Sequence, residues 1–95
     1  MNRSKLEKLK RELAAARLSA QKPRDLEKLA GKLGRKKADG KHPMWISEDF
    51  HLMPLAIPHH GGLDFPPGTR NSILNQLDDD ICAWEDYLGE QEGNE

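Results

Sequence analysis

Apolar residues recur along the first twenty positions as Leu6, Leu9, Leu13, Ala16 and Ala20, at spacings of three and four. That spacing keeps them on one face of a helix, with Lys, Arg and Glu around the rest, and predicts an amphipathic helix over about 4–20. Ser4-Lys5-Leu6-Glu7 has the form of a capping box, in which a hydroxyl and a carboxylate satisfy the free amides of the first turn. Lys22-Pro23 ends the helix, because proline has no amide hydrogen and disfavours helix in the residue before it. Pro23 also suits the first turn of a second helix, where the missing donor does no harm. Asp25 and Glu27 fall where the helix dipole favours anions. Leu26, Leu29, Ala30 and Leu33 form the apolar face of this helix, and Gly34 is its expected left-handed stop.

Beyond Gly34 the pattern shortens. Arg35 to Ala38 predicts a short strand, and Asp39-Gly40 a two-residue hairpin turn, since both residues tolerate positive φ. Met44-Trp45-Ile46-Ser47 predicts a second strand, and Glu48-Asp49 a turn. Leu52 to Ile57 predicts a third strand, set at an edge or bulge by Pro54, which cannot donate to a ladder. Thr69 is the expected N-cap of a last helix. Ile73, Leu74, Leu77, Ile81, Trp84 and Leu88 follow at helical spacing, a heptad-like seam that stops at Gly89. The fold class is therefore α+β: a small three-stranded antiparallel sheet with flanking helices, preceded by an extra N-terminal helix. The first and last helices both carry leucine-type stripes, one among basic residues and the other among acidic ones. Residues 4–20 and 78–88 are expected to pack together, within one chain or across a homodimer.

Ninety-five residues suggest one domain. With 36% hydrophobic and 33% charged residues, its core is small and its surface ionic. Cys82 is the one cysteine, so no internal disulfide forms, which fits a reducing compartment; burial is its expected role. No apolar run approaches the ~20 residues of a membrane span, and the N-terminus lacks the apolar core of a signal peptide. A cytoplasmic protein that does not insert in membranes is expected. The net charge of −1 conceals a division: residues 1–41 carry fourteen Lys and Arg against five acids, residues 42–95 one (Arg70) against eleven. Such asymmetry suits a basic face for a polyanion, or two halves that neutralise each other in the fold.

Four histidines, His42, His51, His59 and His60, are candidates for proton transfer near neutrality. His42 stands close in sequence to Arg35, Lys36, Lys37 and Lys41. Cutting RNA without a metal needs a base near the 2′-hydroxyl, an acid for the leaving oxygen and cations for the phosphate. A histidine among lysines is a minimal version of that set; composition alone favours a solvated turn residue. His59 and His60 lie in a Pro- and Gly-rich loop that fixes the path from strand to helix, contacts RNA, or shares a metal with His51 and His42. Arg70, the sole cation of the acidic half, suits a phosphate partner or a surface salt bridge. Trp45 and Trp84 suit base stacking or packing, with packing the better account of Trp84.

Residues 23–77 resemble the HicA family of small mRNA interferase toxins. Arg24-Asp25-Leu26 matches the family's helix start, Gly40 and His42 its Gly-x-His hairpin, and Trp45 the aromatic of the following strand. Pro58, His59, His60 and Gly61 match its Pro-x-His-x-Gly loop, and Gly68, Thr69, Ser72, Ile73 and Leu74 its last helix. The sequence departs from the pattern at Lys41, where serine is usual, and at Pro43. On this resemblance residues 1–22 are an N-terminal helical extension, 23–77 the core, and 78–95 a C-terminal helical extension with an acidic tail. The resemblance implies a fold similar to a double-stranded RNA-binding domain, α-β-β-β-α. It also implies a metal- and cofactor-independent endoribonuclease acting on mRNA, with His42 as catalytic residue and a HicB-like antitoxin as partner. Gly40, Lys41, Lys36, Lys37, Trp45, His59, His60 and Arg70 are then the expected substrate-binding residues. The alternative is a non-catalytic RNA-binding or protein-interaction module on the same fold.

Overall fold

Asn2, rather than Ser4, starts the first helix. The computed structural model of the chain describes residues 1–38, 44–58 and 62–93, and its first element, α1, spans Arg3–Ala16. The Asn2 side chain accepts a 2.8 Å hydrogen bond from the Lys5 amide, satisfying a free donor of the first turn. The helix also ends earlier than the alanine spacing predicts. Past Ala16 the chain is drawn toward α2, and its carbonyls bond elsewhere: Gln21 O accepts from the Phe65 amide at 2.8 Å and Ser19 O from Arg70 Nη1 at 3.1 Å. Leu6, Leu9, Leu13 and Ala16 are buried as their spacing requires, whereas Ala20, off the helix, is exposed.

The second helix, α2 (Pro23–Lys32), starts on Pro23, and Asp25 Oδ2 accepts from the Lys22 amide at 2.9 Å. Leu26, Leu29, Ala30 and Leu33 are buried. Gly34 takes φ +100°, a region that glycine enters without a Cβ penalty, and turns the chain into the sheet. Three antiparallel strands follow in the order β1 (Arg35–Lys37), β2 (Met44–Ser47), β3 (Leu55–Ala56). Arg35 pairs with Ser47 and Lys37 with Trp45, while Trp45 also pairs with Leu55 and Met44 with Ala56. The Ala38 amide donates to Met44 O at 2.8 Å. The turn expected at Asp39-Gly40 lies outside the described residues. The third strand is shorter than predicted, and Pro54 lies just outside it, consistent with its missing donor.

The last helix, α3 (Pro67–Gly93), is unbroken through Asp78 to Asp80 and runs past Gly89. It begins at Pro67 rather than after Thr69, with the Arg70 amide bonded to Pro66 O at 3.0 Å. Ile73, Leu74, Leu77, Ile81 and Trp84 are buried in one core with the leucines of α1 and α2, Leu55, Ile57 and Phe65. Cys82, expected inside, is exposed, because it falls one residue off the seam. The class is α+β, as the residue pattern predicts.

The basic and acidic helices meet within one chain, antiparallel. Arg3 pairs with Glu92 at 2.8 Å, Lys10 with Glu85 at 3.1 Å, and Arg17 with Asp78. Each step of seven up α1 is matched by seven down α3, so these pairs edge a coiled-coil-like seam. Water screens such exposed pairs, and they contribute little stability individually; their role is register. The hydrogen bond and charge of Arg3 hold the Glu92 carboxyl below its ordinary range. Its contribution is therefore present above the ordinary carboxylate pKa and lost as pH falls through the lowered value.

Apolar burial should outweigh the ladder. Leu9→Ala is expected to cost about 2–5 kcal/mol in urea denaturation. Charge reversal at Lys10 alone should cost less than that, and pairing Lys10→Glu with Glu85→Lys should restore the loss. A Lys10 reversal more damaging than Leu9→Ala would contradict this ordering.

Candidate functional site

The pairing register carries two separate segments off the same end of the sheet. β1 runs toward Ala38, β2 begins at Met44, and β3 runs antiparallel to β2 and ends at Ala56. The segments that follow Ala38 and Pro58 therefore leave the same end of the sheet, from the two strands that flank β2. His42, Gly40, Lys41, His59 and His60 belong to those segments and lie outside the described residues. Lys36, Lys37, Trp45 and Arg70 are described, and they occupy unlike surroundings.

Strand alternation separates the two lysines. Lys36 pairs with Ile46 on the face turned from the core, where its ammonium lies 3.2 Å from Glu48. Lys37 is exposed at the end of β1, opposite Trp45, and has no ion pair among the described residues. Trp45 is half-buried and packs against the core. Its indole Nε1 is shielded from solvent without a hydrogen-bond partner among the described residues. Arg70, in the first turn of α3, donates to Ser19 O at 3.1 Å and to Asn71 Oδ1 at 3.1 Å, which ties the α1–α2 connection to α3.

The root of the hairpin rests on a residue pair that the residue pattern did not single out. Arg35 and Asp80 form a bidentate ion pair, Nε to Oδ2 and Nη2 to Oδ1, each 2.8 Å, with both side chains 1% exposed. Arg35 Nη1 also donates to Trp45 O and Met53 O, each at 3.0 Å. One guanidinium thus holds β1, β2, the β2–β3 connection and α3 together. Burial pushes the Asp80 carboxyl above its ordinary range, while the hydrogen bond and charge of Arg35 pull it down. Arg35 is consumed by this contact and is not among the cations that face solvent near the hairpin. The acidic run is divided likewise: Asp78 pairs with Arg17, Asp80 is interior, and Asp79 alone is exposed.

Beside this pair Trp84 Nε1 donates to Leu33 O at 2.7 Å. Phe50 meets the Trp84 ring edge-on with centroids 4.8 Å apart, so Trp84 packs. His51 is exposed at a hollow of about 290 Å³ that Arg35, Leu52, Met53, Gln76 and Asp79 also line. No group of three or more His, Cys, Asp or Glu among the described residues is arranged to hold a metal ion. No helix among them is long and apolar enough to cross a membrane. No family model, curated protein or solved structure matches the chain.

Removing one partner of a buried pair leaves the other charge uncompensated. Asp80→Asn is expected to lower unfolding free energy by about 3–5 kcal/mol, and Asp79→Asn to change it by less than about 0.5 kcal/mol. Chemical denaturation of both variants checks this, and equal effects would refute it.

Proposed function

We propose that this chain is a HicA-like mRNA interferase: a metal-independent endoribonuclease of a toxin–antitoxin pair that acts in the cytoplasm. His42 is its catalytic residue, and a HicB-like protein is the antitoxin that masks it. The observation that carries the reading is the shared origin of the two motif-bearing segments. Gly40-Lys41-His42 follows β1, and Pro58-His59-His60-Gly61 follows β3, both at the sheet end where Ala38, Met44 and Ala56 stand side by side. Two stretches 18 residues apart in sequence thus follow strands that flank β2 and end on the same side of the sheet. That is what a site combining them requires.

The chemistry follows from the residue types. The 2′-hydroxyl of a ribose attacks the adjacent phosphorus, a base takes its proton, an acid protonates the departing 5′-oxygen, and cations stabilise the phosphate. Histidine suits the proton transfers near neutral pH. Lys37, exposed and without an ion pair among the described residues, suits the phosphate, with Lys41 beside His42 in sequence. The buried Arg35–Asp80 pair supports the opposite end of the hairpin and keeps its root fixed.

Wild-type protein is expected to cleave a single-stranded RNA in the presence of EDTA, and to arrest growth when expressed. His42→Ala should slow cleavage by about 10²–10⁴-fold, the usual contribution of a positioned acid or base, with its melting curve unchanged. RNA left intact by folded wild-type protein would falsify the nuclease reading. RNA retained but never cut would favour the non-catalytic RNA-binding alternative.

A further inference from the structure

The α1–α3 ladder sorts the cations of the basic half into two sets. Arg3, Lys10 and Arg17 are taken up by acids of α3. Lys5, Lys8 and Arg11 are all exposed and form no ion pair among the described residues. They follow one another at steps of three, so they share a stripe of α1, away from the buried leucines. Arg24, Lys28 and Lys32 do the same along α2 at steps of four, a rise of about 6 Å per step, and all three are exposed.

Lys5 and Lys8 of the first stripe and Lys28 and Lys32 of the second border one groove. Lys5, Lys8, Glu12 and Lys32 line a hollow of about 300 Å³. A neighbouring hollow of about 400 Å³ shares Glu12 and Lys32 and extends to Lys28 and Asp25. Of the acids in the groove, Glu12 pairs through Oε1 with Lys32 at 3.3 Å, its Oε2 being buried without a hydrogen-bond partner among the described residues, and Asp25 accepts from the Lys22 amide. Neither acid of α2, Asp25 or Glu27, forms an ion pair among the described residues. On α3, by contrast, Asp79, Asp86 and Glu90 are exposed and unpaired among those residues. The paired helices thus carry a basic outer face on α1 and α2, and an acidic one on α3.

We propose that Lys5, Lys8, Arg11, Arg24, Lys28 and Lys32 form a sequence-independent binding surface for the phosphate backbone of RNA, outside the cleavage site. Ammonium and guanidinium groups in two rows suit a chain of regularly spaced phosphates, and they give affinity and steering without reading bases. The Phe65 amide donates to Gln21 O, which ties the connection just before α2 to the segment just before α3; Arg24, at the start of α2, is the member of the surface closest in sequence to that tie. This surface rests on RNA being the substrate class proposed above, and its test separates the two.

The probe is a fluorescent single-stranded RNA oligonucleotide, titrated against His42→Ala protein by anisotropy over a series of salt concentrations. In that background Lys5→Gln/Lys8→Gln/Arg11→Gln and Arg24→Gln/Lys28→Gln are each expected to weaken binding at low salt by tenfold or more. Each should also flatten the plot of log affinity against log salt by about 0.7 per phosphate contact removed. In the His42 protein the same variants should raise KM and leave kcat near its original value. Asp79→Asn/Asp86→Asn, on the acidic face, should not weaken binding. Unchanged salt slopes in both basic variants, or no RNA binding at all, would overturn the surface. Intact RNA with wild-type protein together with the expected slopes would overturn the nuclease and leave the surface standing. Circular dichroism melts confirm that the Gln variants fold.

Discussion

The bidentate contact between Arg35 and Asp80 is the constraint on which the architecture depends. Both side chains are removed from water, and a buried charge is tolerated only when its partner and remaining donors are satisfied. Arg35 meets that condition by donating twice to Asp80 and twice to carbonyls, those of Trp45 and Met53. The geometry is restrictive: only one placement of β1 against α3, with β2 and the following connection in position, satisfies all four. Apolar contacts alone would tolerate sliding of so short a sheet over a long helix. The ion pair and the Trp84–Leu33 hydrogen bond remove that freedom.

The second consequence concerns charge. A chain of net charge −1 could have neutralised itself residue by residue or kept its halves apart. It does some of each. The heptad-spaced cations of α1 are matched to acids of α3, and this sets the register of the seam. The cations at other positions of α1 and along α2 stay in solvent. Pairing therefore concentrates the uncompensated positive charge on one side, away from the remaining acids of α3. Without α1, the seam of α3 would lie open to solvent; with it, the same helix both completes the core and contributes half of the basic face.

Periodicity made most of the fold legible. The leucine stripes of α1 and α2, the heptad seam of α3 and the stop at Gly34 stand where their spacing places them, because side-chain direction in a helix follows sequence position directly. Boundaries were less legible. Asn2 competes with Ser4 for the first cap, and the crossing to α2 ends α1 early. The third strand keeps only Leu55 and Ala56 of the predicted Leu52–Ile57 run, since Pro54 cannot donate to a ladder. Cys82 shows the same sensitivity: one position off the seam reverses its burial.

The candidate site is legible mainly as motif. Gly40, His42 and the His59-His60 loop are read from residue type and order, and so is the family resemblance. The buried pair had a signal of its own: Asp80 falls three residues after Leu77 and four before Trp84, inside an apolar stripe, where an acid is costly unless paired. Nothing in local sequence identifies its partner as Arg35, which lies 45 positions away. Local pattern sets which residues are helical, which face of each element is apolar and where the chain turns, because those depend on neighbours within a few positions. The choice of contacts across the chain required the folded structure. It unites Arg35 with Asp80, pairs α1 with the α3 of the same chain, carries the ends of β1 and β3 to the same side of the sheet, and leaves Lys5, Lys8, Arg11, Arg24 and Lys28 without ion pairs among the described residues. Each of these depends on distances that only chain crossing creates.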